Sequence, residues 1–120
     1  MLTNATRSTL SASTLIGDDV INLAGAAVGV LNDIMLDLQT GHVAYAVVSC
    51  GGFLGMGDRL FAVPWNSLEL DANRHALILD VDKERLEQAP GFDKDNWPDM
   101  SDRTWGQKVH EFYGIRPYWA

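Results

Sequence analysis

From Ala27 to Leu38 apolar and polar residues alternate, with Val28, Val30, Ile34, Leu36 and Leu38 on one face and Gly29, Asp33, Asp37 and Gln39 on the other. Successive side chains of an extended chain point to opposite sides, so a period of two over this length is the repeat of a half-buried strand. Gln39-Thr40-Gly41-His42 then supplies turn chemistry, with a glycine able to take positive φ. Val43-Ala44-Tyr45-Ala46-Val47-Val48 follows as a strand that is apolar on both faces. The two segments are expected to pair as an antiparallel hairpin, which points the chain toward a β architecture.

The flanking sequence repeats the device. Val20-Ile21 make a short strand before the turn residues Asn22 to Gly25. Beyond the glycine-rich stretch Gly51-Gly52-Phe53-Leu54-Gly55-Met56-Gly57-Asp58, the run Arg59 to Val63 reads as a strand. It ends where Pro64 removes a ladder donor, and Trp65 is expected to plug one end of a barrel. Leu68-Glu69-Leu70, a turn at Asp71 to Arg74 and Ala76 to Val81 give one more hairpin. About six short strands on tight connections are the signature of a small barrel or sandwich. Asp82 can cap a single helical turn through Glu84, Leu86 and Ala89, which Pro90-Gly91 stops. A barrel domain is therefore expected over 15–91. Residues 1–14, rich in Ser, Thr, Ala and Asn without an apolar period, read as a flexible leader.

The extension 92–120 differs in kind, since Trp97, Trp105, Phe112, Tyr113, Tyr118 and Trp119 all fall within it. Trp105, Val109, Phe112 and Tyr113 are spaced i, i+4, i+7 and i+8, which predicts an amphipathic helix over about 102–113. Ser101 or Asp102 serves as its N-cap, Gly114 as its C-cap and Pro117 as its stop. Burying each large ring is worth a few kcal/mol, about 1.5–3, so such a helix docks on its own barrel or on another chain. Trp97, Trp105, Val109, Phe112, Tyr113, Tyr118 and Trp119 are the candidate interaction surface, because Trp and Tyr are enriched at interface centres.

A length of 120 residues with 47% hydrophobic content is enough for one domain with its own core. The formal charge of −7 disfavours phosphate backbones and anionic lipid, so no direct nucleic-acid partner is expected. The single Cys50 has no internal disulfide partner, and no segment approaches the ~20 apolar residues of a spanning helix. A cytoplasmic protein without direct membrane insertion is the expectation.

No catalytic, cofactor or metal site emerges. The loop Gly51 to Asp58 could offer backbone N–H groups to an anion. It lacks the Lys-Ser/Thr of a phosphate loop, however, and opens into a strand where a helix N-terminus is required. Gly51, Gly52, Phe53, Gly55, Gly57, Pro64 and Trp65 are read as structural, with Phe53 and Leu54 packing over the barrel mouth. His42 and His75 fall in turns and His110 on the tail helix, without the spacing of a metal site. Cys50 ends an apolar strand, where cysteine behaves as a small hydrophobe. Asp93, Asp95, Asp99 and Asp102 miss the spacing of a calcium loop and read as solvated charge.

Taken in order, Leu15-Ile16-Gly17, Gly25, Val28-Gly29, Thr40-Gly41, Gly51-Gly52-Phe53-Leu54-Gly55-Met56-Gly57 and Val63-Pro64-Trp65 resemble the PRC-barrel family over residues 15–89. The tail looks like the extension of stand-alone bacterial members. The family includes the cytoplasmic barrel of the photosynthetic reaction centre H subunit and a related barrel in a ribosome maturation factor. The resemblance implies a six-stranded antiparallel barrel that docks proteins and carries no known catalytic residues. A non-catalytic interaction or assembly module is therefore expected, homodimeric, with itself or another protein as partner. Two alternatives stand beside it: a peripheral modulator of a membrane redox complex, and a ribosome-assembly adapter. The H subunit's spanning helix and the maturation factor's separate RNA-associated domain have no counterpart in residues 1–14, so neither role transfers directly.

Overall fold

A computed structural model of the chain describes residues 9–51, 59–71 and 73–120. The expected hairpin lies near the middle of its sheet. β2 (Ala27–Leu36) pairs antiparallel with β3 (Val43–Cys50), and β3 in turn with β4 (Arg59–Pro64). β1 (Asp19–Ile21) lines the other side of β2. After a 3-10 turn at Trp65–Ser67, β5 (Leu68–Asp71) and β6 (Ala76–Leu79) form the second hairpin. With the two-residue β7 (Gly91–Phe92) against β4, the strand order is β5-β6-β1-β2-β3-β4-β7.

The expected antiparallel barrel of about six strands is present with two additions. β7 makes a seventh strand, and β6 runs parallel to β1. A parallel neighbour requires a crossover, and here the chain runs through β2 to β5 before it returns to lie beside β1. The sheet curls without an edge-to-edge hydrogen-bonded closure among the described residues.

One aliphatic core fills the curl. Val20, Leu31, Val48, Phe61, Leu77 and Leu86 all have 0% exposure and pack in one cluster, so strands from both ends of the order face the same interior. α1 (Ala12–Leu15) is a single turn that seats Leu15 in this cluster. Of the leader expected over 1–14, residues 1–8 lie outside the described residues. α2 (Lys83–Glu87) closes one end with Leu86, its Asp82 cap accepting a bond from the Arg85 N–H at 2.8 Å. Trp65, half-buried, packs against the same core.

The face assignment along β2 is corrected by the structure. Leu31 pairs with Val48 and Asp33 with Val47, which leaves Asn32 as an extra residue in the ladder. A bulge of this kind reverses the side to which later side chains point. Ile34, beyond the bulge, thus packs against the same core as Leu31. An earlier register shift against β1, where Gly29 pairs with Val20 and Ala27 with Ile21, lets both Val28 and Leu31 enter it; Val30, Leu36 and Leu38 are exposed. The strand also stops at Leu36, because the Asp37 carboxylate accepts bonds from the N–H groups of Gln39 and Thr40 and starts the turn.

Candidate functional site

β3 and β4 are buried on both sides. Ala46, Val48, Phe61 and Val63 point into the curl, and Tyr45, Val47, Leu60 and Ala62 point out. The outer set is covered by the C-terminal tail. α3 (Arg103–Tyr113) begins at Asp102, whose side chain accepts from the Thr104 N–H at 2.9 Å, and ends at Gly114 with φ 65°. That left-handed cap turns the chain back, and the N–H of Ile115 reaches the His110 carbonyl at 3.1 Å. Asp102 and Gly114 are the caps that the sequence suggests.

The crossing of α3 over the sheet depends on Gly106. A Cβ there would lie 2.6 Å from the Tyr45 hydroxyl oxygen and 2.7 Å from Trp119, so only glycine permits this approach. Around it gather the ring contacts of Tyr45 with Trp105 at 5.2 Å, with His110 at 5.5 Å and with Tyr118 at 6.4 Å. His110 is 1% exposed and donates its Nδ1–H to the Gly106 carbonyl at 2.7 Å. Burial lowers its pKa, against the smaller opposing effect of that bond. Burial pushes Tyr45 up to about 12 and also raises Tyr113. The hydroxyls of these two tyrosines are buried without a hydrogen-bond partner among the described residues.

The seven candidate interaction residues divide between these surroundings. Val109 is buried, and Trp105, Tyr113 and Tyr118 are half-buried, all four against the outer face. Phe112 lies beneath Arg85, whose guanidinium carbon is 4.3 Å from its ring centroid and whose Nη2 donates to the Phe112 carbonyl at 3.0 Å. Trp119 stacks on the Arg103 guanidinium at 4.3 Å. Trp97 packs on Phe92 at 5.1 Å and remains 40% exposed. Most of the aromatic set is thus engaged within the chain.

Where the tail meets the β2–β3 turn, a cleft of about 510 Å3 opens between Met35, Leu36, Leu38, Ala44 and Met100. Its polar corner joins three residues that sequence reasoning did not connect. The Tyr118 hydroxyl donates to Asp37 Oδ2 at 2.6 Å, Arg103 Nη2 lies 3.8 Å from the same oxygen, and Arg103 Nη1 donates to the Tyr118 oxygen at 3.3 Å. The bond from Tyr118 is the main reason the Asp37 carboxyl is held below its ordinary pKa, while burial first and Asp37 second raise Tyr118. A cation at the first turn of a helix opposes the helix dipole. Arg103 occupies that position, and Asp37 and the Trp119 ring supply the compensating contacts. That misplaced charge, with the glycine inside a helical pattern, was the available signal for this corner.

The remaining candidates stay apart. His42 sits exposed on the β2–β3 turn with its ring 5.9 Å from Tyr118, and His75 lies in the β5–β6 turn at φ 52°. Cys50 is buried and donates its S–H to the Val28 carbonyl at 3.1 Å. Asp99 bonds Ser101, chiefly through the hydroxyl, and Asp102 caps α3. Among the described residues no three of His, Cys, Asp and Glu gather as metal ligands. Gly51 closes β3 and Pro64 ends β4 opposite Tyr45, whereas Gly52, Phe53, Gly55 and Gly57 lie outside the described residues, as does the loop considered for phosphate.

No curated protein matches the chain. Among solved structures, a Pseudomonas aeruginosa protein assigned as the 16S ribosomal RNA processing protein RimM matches at 17% identity and a TM-score of 0.43, over 68% of this chain. The chain spans about half of that one, 49% of its length. The model of the PRC-barrel domain matches residues 8–86, which takes in every strand from β1 to β6 and stops before β7 and the tail. The chain belongs to the PRC-barrel family.

Proposed function

We propose that this protein is a non-catalytic interaction module that acts in the cytoplasm as a homodimer. The observation that carries the reading is the pair of leucines at the mouth of the cleft. Leu36 is 59% exposed and Leu38 91% exposed, on a turn held by hydrogen bonds from several directions. Apolar side chains displayed on a rigid support beside a concave apolar surface are the physical signature of a docking site. The PRC barrel then works as a scaffold that presents the hairpin and the tail together, and the tail residues nearest the cleft join the docking surface. Among the described residues no helix is long and apolar enough to cross a membrane, and the reading calls for none.

The experiment is light scattering of the purified protein across a concentration series, joined to affinity capture from gently crosslinked cells. A mass of two chains is expected, and a specific co-captured protein would name the assembly that the dimer serves. Capture of a ribosomal particle would favour the ribosome-assembly alternative, and capture of a membrane redox complex the electron-transfer one. A monomer at all concentrations would sink the homodimer, and turnover of a small molecule by the purified chain would sink the non-catalytic reading.

A further inference from the structure

We infer that two copies of the chain meet at this corner, the β2–β3 turn of each placing Leu38, with Leu36 beside it, in the cleft of the other. The inference rests on the homodimer reading above and assigns the face. Projection and recess lie side by side on one surface, since Leu36 and Leu38 themselves form the rim of the cleft. A patch that carries both halves of a contact is self-complementary, and a two-fold axis through it satisfies both halves at once.

The turn is pre-organised for this role. Asp37 accepts from the N–H groups of Gln39 and Thr40 with one carboxylate oxygen and from the Tyr118 hydroxyl with the other. Its carbonyl also accepts from the Gly41 N–H at 2.8 Å. A leucine on so constrained a loop loses little conformational freedom when it docks.

Charge selects the same face. Each copy carries −7, so like chains repel unless they touch where charge is locally balanced. The two charged residues lining the cleft, Asp37 and Arg103, are paired with each other. A second copy therefore brings no unmatched lining charge and meets walls of Met35 and Met100, whose flexible thioethers adapt to an incoming leucine. A stable pair buries about 800 Å2 per partner. Two leucines supply only part of that, so the cleft walls and the Tyr118 edge of the tail belong to the contact.

The test is sedimentation equilibrium on the full chain, comparing wild type with Leu38→Asp, Ser101→Trp and Leu23→Asp. Leu38→Asp removes the projection, Ser101→Trp fills the recess, and Leu23, 71% exposed on the β1–β2 turn, serves as control. The first two should each raise the dimer dissociation constant by about tenfold or more with unchanged far-ultraviolet dichroism, and the third should leave it unchanged. A dimer that tolerates Leu38→Asp and Ser101→Trp overturns this face while leaving the homodimer standing. A monomeric wild type overturns both.

Discussion

The two faces of the central strands are packed on different principles. Inside the curl, aliphatic side chains from β1 to β6 and α2 converge on one cluster, and the polar group among them, the Cys50 thiol, bonds a backbone carbonyl. Outside, β3 and β4 present Tyr45, Val47, Leu60 and Ala62 to a tail that covers them with rings and a buried histidine, and the hydroxyls of Tyr45 and of the tail's Tyr113 are without a partner among the described residues. The interior draws on β1 to β6 and α2, so it sets the stability of the barrel. The exterior rests on one segment and one glycine crossing, so it sets which surface is left over for contact.

Weakening each side in turn puts this contrast at risk. Phe61→Ala removes a ring of 0% exposure from the interior and should cost about 3–5 kcal/mol, read as a fall in the urea midpoint with one cooperative transition. Gly106→Val acts on the exterior by forcing the helix off Tyr45 and Trp119. A loss of about 1–3 kcal/mol is expected from this overpacking, with near-ultraviolet dichroism of the aromatic tail changing while the far-ultraviolet strand signal persists. Were both variants to lose strand and aromatic signals together, the two faces would be one cooperative unit.

A smaller effect separates the faces through pH. Burial holds the pKa of His110 in the folded chain below the ordinary value of 6.5, near which it titrates in the unfolded chain. A lowered native pKa means that the stability from this group is present above about pH 6.5 and is lost as pH falls through the native value. Denaturant midpoints of the wild type should therefore decline between pH 7.5 and 5. In His110→Asn, which keeps a donor for the Gly106 carbonyl, that part of the slope should flatten; an unchanged slope would remove His110 from the account.

How far the chain could be read differs along its length for physical reasons. The hairpin β2–β3, the second hairpin β5–β6, the Asp82 cap and the α3 caps are local devices, and each is written in a few adjacent residues. The bulge at Asn32 is not, because whether a strand absorbs an extra residue depends on its neighbour's ladder. Register shifts at three places along β2, one against β1 and two against β3, break the alternation, so that Leu31 joins Val28 and Ile34 at the core while Val30 and Leu36 stay in solvent. The corner formed by Asp37, Arg103 and Tyr118 was hidden for a related reason, since Asp37 and Tyr118 are 81 residues apart and nothing local marks them as partners.

The β architecture, the hairpin turns, the helix limits of the tail and the family are therefore all legible in the order of the residues, because periodicity, caps and turn residues act over a few positions at a time. Three outcomes belong to the folded chain alone: the aromatic tail turns back on its own sheet, Gly106 makes that crossing possible, and two leucines remain exposed beside a cleft. They depend on which surfaces meet, and surfaces meet through contacts between residues far apart in the chain.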